Sequence, residues 1–317
     1  MKDHPTAFTK AQRIRAYLAL LGVVLFWGLN FPIAKHALAE LPPTAFNALR
    51  FPIASIFIFV VMRVQGNAKL PRGRDLRLMI YLGLLGNVLY QNLFIFGLEH
   101  TRAGTASVLL AGSPMVTALL SAKLGHERVK PLAWVGIFIA FAGIAFVVLT
   151  GGSKGDGAGT DSLLGDALLL AATVAWACYT VGGQGLVARH GPVVVSGVGL
   201  WAGTIGLLII GAPALMRVDF RSLSTATYLA ILYAGALSIG FAYILWYYGT
   251  RVLGNTRGSA FSNLTPVVAL LAAWPVVGET PRLWQFAGAA VILGGVMLTQ
   301  FARVVQRDDD VSEPATP

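Results

Sequence analysis

The chain has 317 residues, of which 56% are hydrophobic and only 12% are charged. Soluble domains carry about 25% charged residues, so this composition excludes an ordinary soluble domain and indicates an integral membrane protein. The net charge of +10 would suggest nucleic-acid binding in a soluble protein, so the positions of the charges have to be examined.

Ten apolar stretches are each long enough to cross a bilayer as a helix, which takes about 20 residues. We therefore predict an all-α integral membrane protein with ten transmembrane helices, numbered span 1 to span 10, at residues 16–36, 44–64, 77–98, 103–123, 131–150, 163–183, 193–215, 226–249, 256–277 and 282–303. The Gly-rich linker 151–161 separates two halves, residues 1–150 and 162–304. Residues 305–317 are predicted to be a disordered tail on the cytoplasmic side.

The basic residues favour one side of the predicted membrane protein. If the N-terminus is cytoplasmic, 17 of the 24 Lys and Arg residues fall in cytoplasmic segments, as the positive-inside rule requires. This bias predicts a multi-pass protein of the inner membrane with both termini in the cytoplasm. Because topology then accounts for the positive charge, nucleic-acid binding is excluded.

The two halves repeat each other. Residues 81–143 align without a gap with residues 233–295, a constant shift of 152 positions. The shift pairs Tyr81 with Tyr233, Gly97 with Gly249, Pro114 with Pro266, Glu127 with Glu279, and Gly143 with Gly295. A duplicated five-span unit has to insert its second copy upside down, because five is odd. We therefore predict two inverted five-helix repeats, an architecture of secondary transporters with the substrate site between the halves.

The matched prolines lie inside apolar spans 4 and 9. Proline in a helix interior removes a hydrogen bond and costs roughly 3 kcal/mol, but a membrane helix tolerates it where a Ser or Thr satisfies the freed carbonyl. Ser113 precedes Pro114 and Thr265 precedes Pro266. We predict matched kinks that act as hinges or shape a cavity; kinks that serve packing alone are the alternative.

The motifs of the two halves resemble a known family. Each half carries a proline, an acid 13 residues later after a glycine, and a Gly-spaced span, and each starts with a Trp-bearing span, LFWGLNFPIAK and VAWACYTVGGQ. Residues 16–303 resemble the EamA branch of the drug/metabolite transporter superfamily. The resemblance implies a ten-helix carrier of small metabolites, often an exporter of amino acids. The chain departs from it at His126-Glu127, where Gly-Glu is usual.

Polar and aromatic side chains within the spans are the candidate substrate-binding residues, since polar groups in a membrane are expensive and mark functional sites. We predict a cavity with aromatic walls that suits a small amphipathic solute, lined by Trp27, Asn30, Arg50, Asn87, Tyr90, Gln91, Trp176, Tyr179, Tyr243, Trp246 and Asn263. Helix packing is the alternative role for each. Arg50 would bind a substrate carboxylate if it faces the cavity, and Lys35 would either do the same or snorkel to the surface.

The two matched glutamates, Glu127 and Glu279, precede spans 5 and 10. A carboxylate in that position stabilises the N-terminus of the next helix, so we predict that each caps the span that follows it.

No Asp or Glu lies at mid-depth of a span, whereas exporters of cationic drugs usually use a buried carboxylate that titrates. We therefore expect a permease that moves a small metabolite, an amino acid or a related zwitterion, outward by alternating access. A multidrug exporter of cationic compounds is the alternative, followed by a non-transporting membrane sensor or an enzyme. No cofactor or metal site is expected, and the expected partners are a small-molecule substrate and the lipid bilayer. The sequence does not predict an oligomeric state.

Overall fold

The structure is a computed structural model that describes residues 9–65, 70–123, 131–151, 162–253 and 261–312. These residues form helices joined by turns and short loops, with no strand among them. Nine helical stretches within them are long and apolar enough to cross a membrane. They coincide with predicted spans 1 to 8 and span 10, so the chain is a multi-pass membrane protein.

Thirteen α-helices have both ends within the described residues. In chain order they are α1 (Lys10–Ala37), α2 (Pro43–Gln65), α3 (Arg74–Leu84), α4 (Tyr90–Glu99), α5 (Ala103–Leu110), α6 (Ser113–Lys123), α7 (Pro131–Gly151), α8 (Leu163–His190), α9 (Pro192–Leu215), α10 (Thr225–Leu232), α11 (Ala242–Leu253), α12 (Thr265–Val277) and α13 (Leu283–Ser312). The predicted ninth span, 256–277, begins outside the described residues. Its described part ends in α12, whose 13 residues are too few to cross a bilayer alone.

Local sequence signals set several helix ends. At the start of α1, the Thr9 side chain accepts a hydrogen bond from the Gln12 backbone, and the Gln12 side chain accepts one from Thr9. This reciprocal capping box satisfies two orphan N–H groups. The helix α9 starts with Pro192 after Gly191, and α12 stops at Gly278. Both glycines have a positive φ, 78° and 71°, which side chains with a Cβ disfavour.

Spans 3 and 8 each contain a π-helical segment, at Leu85–Leu89 between α3 and α4 and at Tyr233–Phe241 between α10 and α11. Such segments widen a helix locally and occur frequently at functional sites. A Cβ added at Gly86 would lie 2.6 Å from the Tyr179 ring, and one added at Gly235 would lie 2.5 Å from the Arg50 carbonyl oxygen. Glycine therefore lets each widened segment touch a helix that carries candidate site residues.

Spans 4 and 9 are broken rather than kinked. The helix α5 ends at Leu110, a turn covers residues 111–112, and α6 starts at Ser113. In span 9 a turn covers residues 263–264, and α12 starts at Thr265 with Pro266 in its first turn. A proline is favoured at the start of a helix, because its missing N–H has no partner there and its φ is already helical. Each proline thus begins a new helix.

The contacts between helices of different halves come in matched pairs. The helix α1 packs on α11 and α12, while α8 packs on α4 and α6. The helix α2 packs on the second π-helical segment, while α9 packs on α3 and on the first. In addition, α2 packs on α9, and α7 packs on α13. A buried apolar core runs between α1, α2, α4, α5 and α12, where it includes Phe31, Phe46, Ile95, Leu109 and Leu270.

Candidate functional site

The central charged group of the candidate site is Arg50 in α2, with only 1% of its surface exposed. Its Nε and Nη2 donate to Asn47 Oδ1 at 3.0 and 2.8 Å, and Nη2 also donates to Gln91 Oε1 at 2.7 Å. The guanidinium carbon lies 5.0 Å from the centre of the Phe46 ring and 5.5 Å from that of Phe51. The neighbours of Arg50 are therefore neutral amides and aromatic faces.

No carboxylate among the described residues pairs with Arg50, and its Nη1 has no hydrogen-bond partner among them. A charge buried away from water is costly unless it is paired. Amide oxygens and aromatic rings offset part of that cost. A ligand carboxylate would offset more of it, because a guanidinium and a carboxylate form two parallel hydrogen bonds.

Aromatic residues of spans 3 and 6 pack together beside Gln91. The Tyr90 ring centre lies 5.0 Å from Trp176 and 6.2 Å from Phe94, and Trp176 lies 5.4 Å from Tyr179. Tyr90, Trp176 and Tyr179 are all half-buried. Since span 3 belongs to the first half and span 6 to the second, this cluster joins the two halves.

A second aromatic pair joins span 1 to span 8. The ring centres of Trp27 and Trp246 lie 5.3 Å apart, and Trp27 Nε1 donates to the Ser238 carbonyl oxygen at 3.0 Å. That carbonyl belongs to the second π-helical segment. The pair therefore fixes α1 against the widened part of span 8.

Tyr243 connects the cluster around Tyr90 with Arg50. It lies near Arg50, Tyr90 and Tyr179, and the centre of its ring is 6.4 Å from that of Tyr247, with the two rings stacked. The structure thus brings six of the predicted site residues into one neighbourhood: Arg50, Tyr90, Gln91, Trp176, Tyr179 and Tyr243.

Three predicted site residues lie elsewhere. Asn87 is buried against α9, where a Cβ added at Gly203 would lie 2.3 Å from the Asn87 Cβ. Asn30 in α1 and Asn263 in the span 9 break are buried, and Asn30 Oδ1 and Asn263 Nδ2 have no hydrogen-bond partner among the described residues. Buried polar atoms are normally satisfied, so these two are open to a water or to a polar group of a ligand. Asn87 instead occupies a helix interface.

One residue of the site, Asn47, was missed in the sequence. It accepts two hydrogen bonds from Arg50, and the i, i+3 spacing within NALRF was the signal that could have found it. Lys35, for which substrate binding or snorkelling was expected, binds backbone carbonyls of the chain itself. Its Nζ donates to the carbonyl oxygens of Leu98, Glu99 and Thr101 at 2.8, 2.8 and 2.9 Å.

The prediction that Glu279 caps span 10 is wrong. Glu279 Oε2 accepts from the backbone N–H of Ala103, at 2.8 Å, so it caps α5 of the other half. The Gln285 side chain accepts from the Arg282 backbone at the start of span 10 instead. Burial raises the pKa of the Glu279 carboxyl, against the opposing effects of Lys35, Arg102 and the N–H groups of α5. The matched Glu127 lies outside the described residues.

The described part of the chain contains no group of three or more His, Cys, Asp or Glu residues that could hold a metal ion. The chemistry available at the site is therefore that of hydrogen bonding, aromatic contact and one buried positive charge.

The sequence profile of the EamA-like transporter family matches residues 14–149 and again residues 163–301. The chain belongs to the EamA-like transporter family. The resemblance inferred from its motifs is thereby confirmed, and this EamA-like protein is a transporter rather than an enzyme. Each matched region contains one broken span and one π-helical segment.

Relatives of this EamA-like transporter align over nearly their whole length. An uncharacterized transporter of Archaeoglobus fulgidus is 31% identical, over 90% of this chain and 98% of that protein. A probable terminal-alkyne amino-acid exporter of Streptantibioticus cattleyicolor is 30% identical, over 95% of this chain and 98% of that protein. A probable amino-acid metabolite efflux pump of Salmonella typhimurium is also 30% identical, over 93% of this chain and 98% of that protein.

The fold is also similar to that of a protein with a solved crystal structure. The two chains superpose with a TM-score of 0.63 at 22% identity, over 92% of this chain and 98% of the other. At this identity the likeness concerns the fold alone.

Proposed function

We propose that this EamA-like transporter is a secondary carrier that exports a small metabolite with a free carboxylate, an amino acid or a related zwitterion, across the inner membrane by alternating access. Arg50 is the observation that carries the proposal. It is a buried cation held in place by Asn47 and Gln91, with no carboxylate partner among the described residues. A substrate carboxylate would supply the missing partner.

The surroundings of Arg50 fit the rest of such a substrate. Tyr90 and Tyr243 lie beside it, one from each half, and their rings offer apolar faces with polar ends. Aromatic faces also attract an ammonium group. The names of two relatives, a probable amino-acid exporter and a probable amino-acid metabolite efflux pump, are in keeping with this class of substrate.

The proposed architecture is ten spans in two inverted repeats, residues 1–150 and 162–304, joined by the linker 151–161. The breaks at residues 111–112 and 263–264 lie 152 positions apart, the shift of the sequence repeat. The same shift moves the π-helical residues 85–89 onto residues 237–241, inside the second π-helical segment. The double match of the family profile and the paired helix contacts support the same arrangement.

Alternating access requires parts of the two halves to move against each other. The breaks separate α5 from α6 in span 4 and leave α12 as an independent helix in span 9. We propose that these half-helices are the moving parts, with Pro114 and Pro266 at the hinges. The excess of Lys and Arg in the predicted cytoplasmic segments supports cytoplasmic termini.

A carrier of cationic drugs is the second candidate for the substrate class. The buried charge of Arg50 argues against it, because like charges repel strongly in a medium of low dielectric constant. The same experiment can test both classes.

The test is ligand binding and transport by the purified full chain. Amino acids should raise the midpoint of thermal unfolding of the wild type, because a ligand that binds the folded state stabilises it. In proteoliposomes the same amino acids should be exchanged across the membrane. R50Q should weaken binding by about 30-fold or more, since losing one partner of a buried charge pair costs about 2–5 kcal/mol, and R50K should retain part of it.

The matched control is R63Q. Arg63 lies in the same helix, is exposed and places its guanidinium over the Phe59 ring, so R63Q should bind like the wild type. Stabilisation by cationic dyes but not by amino acids would overturn the proposal in favour of a multidrug exporter. Unchanged amino-acid binding in R50Q would remove Arg50 from the site.

A further inference from the structure

The helix α5, the first half of span 4, is held at its N-terminus by the second half of the chain. Glu279 Oε2 accepts from Ala103 N–H at 2.8 Å, and Gln285 Nε2 donates to Thr105 Oγ1 at 3.0 Å. Arg102 Nη2, just before α5, donates to the Thr280 carbonyl oxygen at 2.9 Å. The linker between spans 9 and 10 and the start of span 10 thus hold α5 from outside its own repeat.

The loop before α5 is tied to two further spans. Lys35, near the end of α1, binds three carbonyl oxygens at the end of α4 and in this loop, where the helix dipole is negative. From the start of α8, Ser162 N–H donates to the His100 carbonyl oxygen at 3.1 Å, and Asp166 accepts from the Thr101 hydroxyl at 3.4 Å. We call this end of the helix bundle the Lys35 end.

The Lys35 end is closed. Residues 103–109 of α5 are all buried, and Glu279 and Asp166 are only 5% and 2% exposed. Several of the bonds that close it join one half of the chain to the other. In a carrier that works by alternating access, contacts of this kind between the halves have to break when that end opens.

We propose that Glu279 is the latch of a gate at the Lys35 end: its carboxylate holds α5 on the opposite half, and its release from Ala103 opens that end of the carrier. The proposal rests on the proposed function only in assuming alternating access. Glu279 then has a positioning role in transport, whereas the sequence had predicted that it caps span 10.

The length of α5 makes the latch effective. The helix has eight residues and is cut off from α6 by the break at residues 111–112, so it can move separately from the rest of span 4. The first N–H groups of a helix have no partner within the helix. The Arg102 side chain makes no capping bond to α5, whereas Glu279 supplies one from the other half.

The test measures access to α5 by alkylation of a single cysteine. Cys178, the only natural cysteine, is replaced by serine, and Ser107→Cys places a thiol in α5. Ser107 is 2% exposed, so a polar maleimide should label this parent variant slowly. Adding E279A should raise the labelling rate by about threefold or more, since losing a helix cap shifts an equilibrium by that factor or more. E279Q keeps an acceptor oxygen for Ala103 N–H and removes the buried charge, so it should label no faster than the parent variant.

Two controls separate a gate from a general loss of structure. E99A removes the same charge from a half-exposed glutamate of the same end and should leave the labelling of Ser107→Cys unchanged. Ser222→Cys, at an exposed position beside Ser224, to which Glu40 binds, reports reagent access and should be labelled equally fast with and without E279A. Every variant has to elute as a single species with the wild-type yield.

Substrate binding and turnover give an independent readout. E279A should bind amino acids as the wild type does in the thermal-shift assay, since Arg50 is intact, while its transport rate falls. An unchanged labelling rate in E279A, or an equal rise in E99A, would overturn the latch. Because labelling needs no substrate, failure of amino-acid transport would overturn the proposed function and leave the result on Glu279 standing.

Discussion

The breaks in spans 4 and 9 have the same sequence pattern but different polar surroundings. In span 4, the Ser113 hydroxyl donates to the Leu110 carbonyl oxygen at 2.6 Å, the carbonyl whose usual donor is missing because residue 114 is proline. In span 9, the hydroxyl of the matched Thr265 is buried, and within the part of the chain that the structure describes neither it nor Asn263 Nδ2 has a hydrogen-bond partner. The first break is satisfied internally, and the second leaves polar atoms open.

This difference separates a structural break from a candidate contact point. A hydroxyl that donates to a freed carbonyl stabilises the turn and has no second proton to donate to a ligand. Two buried polar atoms without partners are unusual in a native fold, and a water or a polar group of the substrate would satisfy them. We therefore expect the span 9 break to take part in transport more directly than the span 4 break.

The largest expected effect comes from separating span 9 from α1. A Cβ added at Gly28 would lie 2.5 Å from the Val268 Cβ and 3.1 Å from the Thr265 carbonyl oxygen. G28A should therefore destabilise the protein by about 1–3 kcal/mol through overpacking, measured as a lower thermal midpoint in detergent.

Gly183 in α8 provides the control for that substitution. It is buried, yet an added Cβ would meet nothing within 4 Å. G183A should be neutral or stabilising by up to about 1 kcal/mol, because alanine is the better helix former. If G28A loses no more stability than G183A, the contact between α1 and α12 is looser than described.

The next effect distinguishes the two breaks directly. S113A removes the donor from the Leu110 carbonyl and should cost about 1 kcal/mol, the usual contribution of one intramolecular hydrogen bond. Thermal unfolding of S113A against the wild type measures it. A midpoint equal to that of the wild type would show that the span 4 break does not depend on this bond.

The matched substitution in span 9 should have the opposite sign. T265V keeps the shape of the side chain and removes a buried hydroxyl that has no partner in the described ranges, so it should stabilise the protein by up to about 1 kcal/mol. If the hydroxyl meets the substrate, transport should fall in the same variant. A destabilised T265V would indicate that Thr265 is hydrogen-bonded in the membrane, and the contrast between the breaks would then disappear.

The smallest effect concerns pH and the capped half-helix of span 4. Burial raises the pKa of Glu279 in the latched state, so this state binds a proton more readily than an open state with the carboxyl in water. Latching is therefore favoured as the pH falls through the raised pKa, and the advantage is lost as the pH rises. Labelling of Ser107→Cys, normalised to Ser222→Cys, should slow at lower pH, and E279Q should abolish the dependence. Faster labelling of Ser107→Cys at low pH would show that protonation opens the Lys35 end instead of favouring the latched state.

Much of the fold could be predicted from the sequence, because its signals are local. Hydropathy alone located nine of the spans with shifts of a few residues, since a bilayer requires long apolar helices. The Ser-Pro and Thr-Pro pairs marked the two breaks, although a kink was expected where the helix stops and restarts. The resemblance of both halves to the EamA-like transporter family was confirmed.

The candidate site was only partly predictable. Residue type and depth selected Arg50, Tyr90, Gln91 and Tyr243, which the structure brings together, because polar groups are scarce within membrane spans. The same criterion also selected Asn87, which packs against a glycine of α9 instead. Polarity reveals that a side chain avoids lipid, but it does not reveal which neighbour it meets.

By itself, the sequence determined the membrane class and marked the positions of the breaks, since these follow from hydropathy and from the backbone chemistry of proline. Only the tertiary structure decided the partners: Asn47 and Gln91 for Arg50, Ala103 for Glu279 and, among the described residues, none for the Thr265 hydroxyl. The physical reason is that a hydrogen bond between distant spans depends on how each helix is rotated and how deep it sits. The packing of all the helices together sets both.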